Sequence, residues 1–217
     1  MDPKVVETAL VIGFLILSLG IHEAAHAWVA LLCGDPTARD LGRLTLNPIA
    51  HIDPFFTILM PAMLYWTTGM AFGGAKPVPV FAPRMRKPLR DMMFVALAGP
   101  ISNLILAWIF LMIWKVLLLK FEMGQDELAP RVMFASARFN LILAIFNMIP
   151  IPPLDGSRVM AFFLPSPVRE SYVALERFGM IIVIVLFMSG ALHGILGVTL
   201  NPLLSFYHLS LTGGNSW

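Results

Sequence analysis

His22-Glu23-Ala24-Ala25-His26 interrupts an otherwise apolar run from Ala9 to Cys33, and no other feature limits this chain's fold and chemistry as tightly. A helix crossing the hydrocarbon core needs about 20 mostly apolar residues, so the run is long enough to span. An ionised Asp, Lys or Arg at the centre of such a helix costs about 2.5–3.5 kcal/mol on insertion scales, and an ionisable residue there is a functional candidate by default. Three ionisable groups on one turn would be costly without a metal. On a helix, positions i and i+4 share a face. Both imidazoles can therefore reach one ion, with Glu23 beside it. Neutral imidazole is a good zinc ligand. Zinc brings the ionisation of water toward neutral pH, and Glu23 is placed to take a proton and pass it to a leaving amine.

The rest of the sequence is that of a membrane protein. Its residues are 58% hydrophobic and 13% charged, against roughly 45–50% and about 25% in soluble domains. Val5–Cys33, Asp91–Leu119 and Val132–Ile149 read as spanning helices. The first is too long to be the core of a cleaved signal and is expected to be retained. Pro54–Phe72 is apolar but contains Pro61, and Glu170–Leu211 is interrupted by Gly194, Gly197 and Asn201-Pro202, so it is one helix or a helix plus a broken piece. Leu41–Leu46 partly alternates and predicts a short strand, while Gly73–Val80 is too rich in Gly and Pro for a helix. No loop is long enough for a separate soluble domain. The expectation is a single all-α polytopic membrane domain over residues 1–217, with a short strand/loop region and a re-entrant segment.

Cys33 is the only cysteine, which excludes an internal disulfide and a cysteine-built metal site. The net charge of +2 gives no case for nucleic acid. Arg39, Arg43, Lys76, Arg84, Arg86, Lys87, Arg90, Arg158 and Arg169 would fall on one side, the cytoplasmic one under the positive-inside rule, giving a multi-pass protein of the cell membrane.

Two histidines do not complete a catalytic zinc site, which usually has three protein ligands. Asp155 follows an apolar helix, precedes a short apolar segment, and is succeeded by Gly156, which permits a tight approach. From spacing alone, a ligand and a helix N-cap are equally good readings of Asp155.

These residues resemble the site-2 protease family of intramembrane zinc metalloproteases, in its compact bacterial-type branch without accessory domains. The His-Glu-His motif carries the likeness, together with Asn147 through Pro153-Leu154-Asp155-Gly156. Ala98-Gly99-Pro100 with Asn103, Gly74–Pro79, and Gly42–Pro48 leading to His51-Ile52-Asp53-Pro54 add to it. The resemblance implies one zinc ion per chain held by His22, His26 and Asp155, with Glu23 as base and Asn147 in the active site. Asn140 lies seven residues before Asn147 on nearly the same helical face, as a substrate contact or as helix–helix glue. Leu44, Lys76 and Pro77 belong to loops that, as in the family, would hold an unwound substrate segment by strand addition. Substrates would be membrane proteins or peptides, met in the lipid bilayer. His51, His193 and His208 have no partner at ligand spacing and read as structural or interfacial.

A metal-ion transporter or a non-catalytic zinc-binding membrane protein is the alternative. Against the first stand one closed polar cluster and the absence of an inverted repeat; against the second stands the intact Glu23. Bringing Asp155 to the depth of the histidines is simplest if the helices preceding and carrying these ligands run in the same direction. That follows if Pro54–Phe72 re-enters rather than spans.

Overall fold

The computed structural model describes residues 2–59, 63, 74–190, 194, 197–200, 202 and 205. Its long elements are helices: α1 (Pro3–Cys33), a single turn α2 (Thr37–Asp40), α3 (Pro88–Leu119), α4 (Leu128–Asn147), α5 (Asp155–Phe163), α6 (Ser166–Ala174) and α7 (Gly179–Met188). Of these, α1, α3 and α4 are long and apolar enough to cross a membrane. Most of the Pro54–Phe72 run expected to re-enter, together with His193, His208 and most of the chain's end, lies outside the described residues; Pro54–Leu59 forms one π-helical turn. The run expected from Glu170 opens as the end of α6, passes through a 3-10 turn at Leu175–Phe178, and continues as α7.

Helix α1 is built inside out relative to a helix of a soluble protein. The buried residues of α1 are Ser18, Gly20, His22, Ala24, His26, Ala27 and Ala30, whereas Leu10, Ile12, Leu17, Trp28 and Leu32 are exposed. Lipid is as apolar as leucine, so burying large apolar chains gains little; small residues let backbones approach, and polar groups turn inward. In α3 the buried stripe Asp91, Val95, Gly99, Asn103, Ala107 and Leu111 recurs every fourth residue, the spacing of one helical face. Pro100 lies inside α3, which continues unbroken through it.

The chain forms two compact units, Ile16–Gly99 and Met1–Leu15 with Pro100–Trp217. In the first, Ala27, Ala38 and Val78 pack with Leu44 and Val80, and Ala30, Met85 and Val95 pack with Val29, Cys33 and Met92. Gly34, at φ +109°, turns the chain out of α1. Asp35 then fastens the loops: it accepts from Thr37 N at 3.0 Å, from the Thr37 hydroxyl, and from Phe81 N at 2.6 Å. Burial raises the Asp35 pKa, but these bonds and nearby Arg84 outweigh it, so the carboxyl ionises below its ordinary range.

In the second unit, Phe110, Leu111 and Ala137 pack with Phe14, and Ala107 and Leu141 pack with Leu200. Glu7 near the start of α1 pairs with Arg131 near the start of α4 at 2.5 Å, and Phe14 meets Phe110 edge-on. Hence α1 and α4 run in the same direction and α3 runs oppositely, the arrangement expected from the ligand requirement.

The strand expected at Leu41–Leu46 does not form, and no strand occurs among the described residues. Arg43 N–H donates to Ala38 O, continuing the α2 turn. The Arg43 guanidinium donates to Lys76 O at 3.0 Å and lies 3.5 Å from Pro77 O. Pro77 and Pro79 carry no N–H, so a side chain holds this segment where a ladder cannot.

Candidate metal centre

In the Ile16–Gly99 unit, His22 and His26 are buried and their Nε2 atoms stand 3.0 Å apart. The rings meet edge to face, with centroids 4.6 Å apart and an angle of 84°. Two nitrogens sharing one tetrahedral ion, each about 2.0–2.1 Å from it, would be about 3.3 Å apart. The pair therefore fits a shared ion within a few tenths of an ångström.

Neighbouring groups fix the rings. His26 Nδ1 lies 2.7 Å from Val95 O on α3. A carbonyl only accepts, so Nδ1 carries the proton and Nε2 keeps the lone pair that a metal takes. This is the usual outer partner of a ligating histidine. Pro100 offers no N–H to the Ala96 carbonyl and its ring crowds that turn, next to the carbonyl that receives His26. A Cβ on Gly99 would lie 2.4 Å from His26 Nε2 and 2.5 Å and 2.6 Å from His22 Cε1 and Nε2, so only glycine lets α3 come this close.

Glu23 is half-buried, and its Oε2 accepts from Val78 N at 2.8 Å. Val78 lies between two prolines and is itself buried against Ala27 and Ala38. One carboxylate oxygen is thus anchored to a stiff segment, leaving Oε1 to exchange protons. Lys76 and Pro77 are exposed beside it, and Lys76 N donates to His51 O at 2.8 Å. His51 is buried, with Nε2 3.0 Å from Thr45 O, in keeping with its expected structural role. Leu44 packs on the Ala27–Ala38–Val78 cluster.

In the other unit, Asp155 is the first residue of α5; the capping position is Leu154, which makes no side-chain capping bond. A Cβ on Gly156 would meet Met148 O at 2.2 Å and Ile149 O at 2.7 Å. Glycine is therefore required for α5 to start directly against the end of α4. Asn147 donates from Nδ2 to Leu143 O at 3.0 Å, which leaves its second amide hydrogen and its carbonyl for other partners. Asn140 is buried and donates to Ser136 O at 2.9 Å.

Sequence reasoning missed the Val95 carbonyl and the Val78 N–H, because every residue carries such groups and only tertiary contact selects one.

A His-Glu-x-x-His helix of membrane-spanning length, with its imidazoles paired and its carboxylate anchored, is what the core of a membrane zinc metalloprotease would need. The profile of "Peptidase family M50" matches residues 120–190, the stretch holding Asn140, Asn147 and Asp155. The chain is similar to "Putative zinc metalloprotease YwhC" of Bacillus subtilis, 42% identical over 184 residues covering 81% of this chain and 78% of the relative. It is also similar to "Putative zinc metalloprotease Rip2" of Mycolicibacterium smegmatis, 30% identical across 85% of this chain and 68% of the relative. "Putative zinc metalloprotease MJ0611" of Methanocaldococcus jannaschii is 38% identical over 39% of this chain and 40% of its own length. No solved structure matched the chain significantly. The chain belongs to peptidase family M50, the site-2 protease family.

Proposed function

We propose that this metalloprotease is an intramembrane endopeptidase of the cell membrane, working as one domain on transmembrane or membrane-proximal segments of other proteins. The observation that carries the reading is the His22–His26 pair, buried with Nε2 atoms 3.0 Å apart on a spanning-length helix, with Glu23 between them. His22, His26 and Asp155 are the proposed ligands of one zinc ion per chain, the proposed cofactor. When bound, zinc supplies Lewis acidity and brings water's ionisation toward neutral pH.

The chain's own residues do the rest. Glu23 Oε1 takes the proton of the attacking water and returns it to the leaving amine, while Val78 N–H holds Oε2 still. Asn147 offers its second amide hydrogen to the oxygen on which negative charge develops. Val95 O keeps the His26 tautomer fixed. Leu44, Lys76, Pro77 and Asn140 are assigned to the substrate path. A substrate helix must unwind before its amide is exposed, and water reaches the bond only where protein lines a polar cavity.

The test is Glu23→Gln. A general base contributes about 10²–10⁴-fold, so cleavage should fall by that factor while zinc content stays equal to wild type. Comparing membrane-derived fragments from cells carrying either form would also report the substrate. Equal fragment patterns with intact zinc would remove the proposal.

A further inference from the structure

Asn103 is wholly buried, at 0% exposure, and neither Oδ1 nor Nδ2 has a hydrogen-bond partner among the described residues. A primary amide in hydrocarbon surroundings without partners is costly, and buried polar side chains in native proteins almost always have one. Helix–helix glue does not account for this residue, since glue requires the bond to be made.

Its position narrows the choice of partner. Asn103 lies on the buried stripe of α3, four residues after Gly99, the residue against which both imidazoles pack, and four before Ala107. Side chains four apart on a helix are neighbours, with Cβ atoms about 5–6 Å apart. On the other helix of its unit, Ala107 packs with Leu141 and Phe110 with Ala137, and the two helices run oppositely. One turn further brings Asn103 level with the end of α4, where Ala144 is buried and Asn147 leads into the turn before Asp155. The unpartnered amide thus sits at the end of the α3–α4 interface that carries the candidate chemistry.

We infer that Asn103 is a substrate-binding residue: its Nδ2 donates to, and its Oδ1 accepts from, one peptide group of the unwound substrate segment. A peptide group carries one donor and one acceptor, and a primary amide can answer both. Such a group becomes free in a transmembrane substrate only once its helix opens, so Asn103 would favour the opened over the helical form. This rests on the proteolytic reading above.

The test replaces Asn103 by leucine, similar in shape and without polar atoms. It uses the purified zinc-loaded protein in detergent and one transmembrane peptide that the wild type cleaves and Glu23→Gln does not. If no such peptide exists, the proteolytic reading fails first and separately. The expected result is an unchanged or raised thermal midpoint, unchanged zinc content, and a kcat/KM about 10–100-fold lower, chiefly through KM. Full kcat/KM in Asn103→Leu would overturn the inference, as would a lowered thermal midpoint with kcat/KM kept, which would assign Asn103 a structural partner. Should the leucine variant misfold, Asn103→Ala is read the same way: a loss of kcat/KM with zinc retained supports it, and retained kcat/KM refutes it.

Discussion

Adding a single methyl group at Gly99 tests the candidate metal centre without replacing a proposed ligand. In Gly99→Ala the new carbon would lie 2.4 Å from His26 Nε2, whereas ordinary contact begins at 3.4 Å. The ring edge must therefore retreat by about 1 Å, five times the tolerance of about 0.2 Å on metal–ligand distances. His26 cannot simply swing away, because Nδ1 is held 2.7 Å from Val95 O. His22 is pressed equally, with two ring atoms within 2.6 Å of the new carbon. The other escape is for α1 and α3 to separate, which loosens Ala30 from Val95 and costs about 1–3 kcal/mol as overpacking does. The expected outcome is zinc binding about 100-fold weaker, about 2.7 kcal/mol, or an equivalent loss of stability. Chelator competition on the solubilised apo-protein measures the affinity, and a melting curve measures the stability. If Gly99→Ala bound zinc as tightly as wild type and melted at the same temperature, the packing described for these two helices would be wrong.

Three further predictions concern other parts of the molecule. Asp155→Ala should lower zinc content at matched zinc concentration while Glu23→Gln does not, which metal analysis of both proteins decides; equal content would remove Asp155 from the ligand set. Asp35→Ala should destabilise the protein at neutral pH by about 3 kcal/mol, since it removes charge-assisted bonds accepted by a buried carboxylate. The folded-state pKa of Asp35 is depressed, so the difference should be fully present above the ordinary aspartate value of about 3.9 and fade as pH falls below it, as denaturant melts at several pH values would show. Tyr172→Phe removes the 2.7 Å bond to Pro150 O in the turn before Asp155. Metal-site outer partners are worth about 10–100-fold in affinity; this one is further removed, and the low end of that range in zinc affinity is expected by chelator competition.

Much of this protein is determined by its sequence alone, because in a membrane the backbone must satisfy its own hydrogen bonds and long apolar runs have little choice but helix. The spans of α1, α3 and α4 follow from that, and the His-Glu-His spacing places two imidazoles on one helical face before any tertiary contact exists. Gly156 could likewise be read as a close approach. What folding alone decided is which backbone groups serve the site: the Val95 carbonyl for His26, the Val78 amide for Glu23, and the contact that forbids a side chain at Gly99. Partial alternation at Leu41–Leu46 suggested a strand, yet Arg43 reaches across to Lys76 and Pro77 and the neighbouring prolines have no donors for a ladder. A sequence pattern reports local preference. Which carbonyl meets which ring depends on how two distant helices pack, and small residues such as Gly99 set that distance without any chemistry of their own.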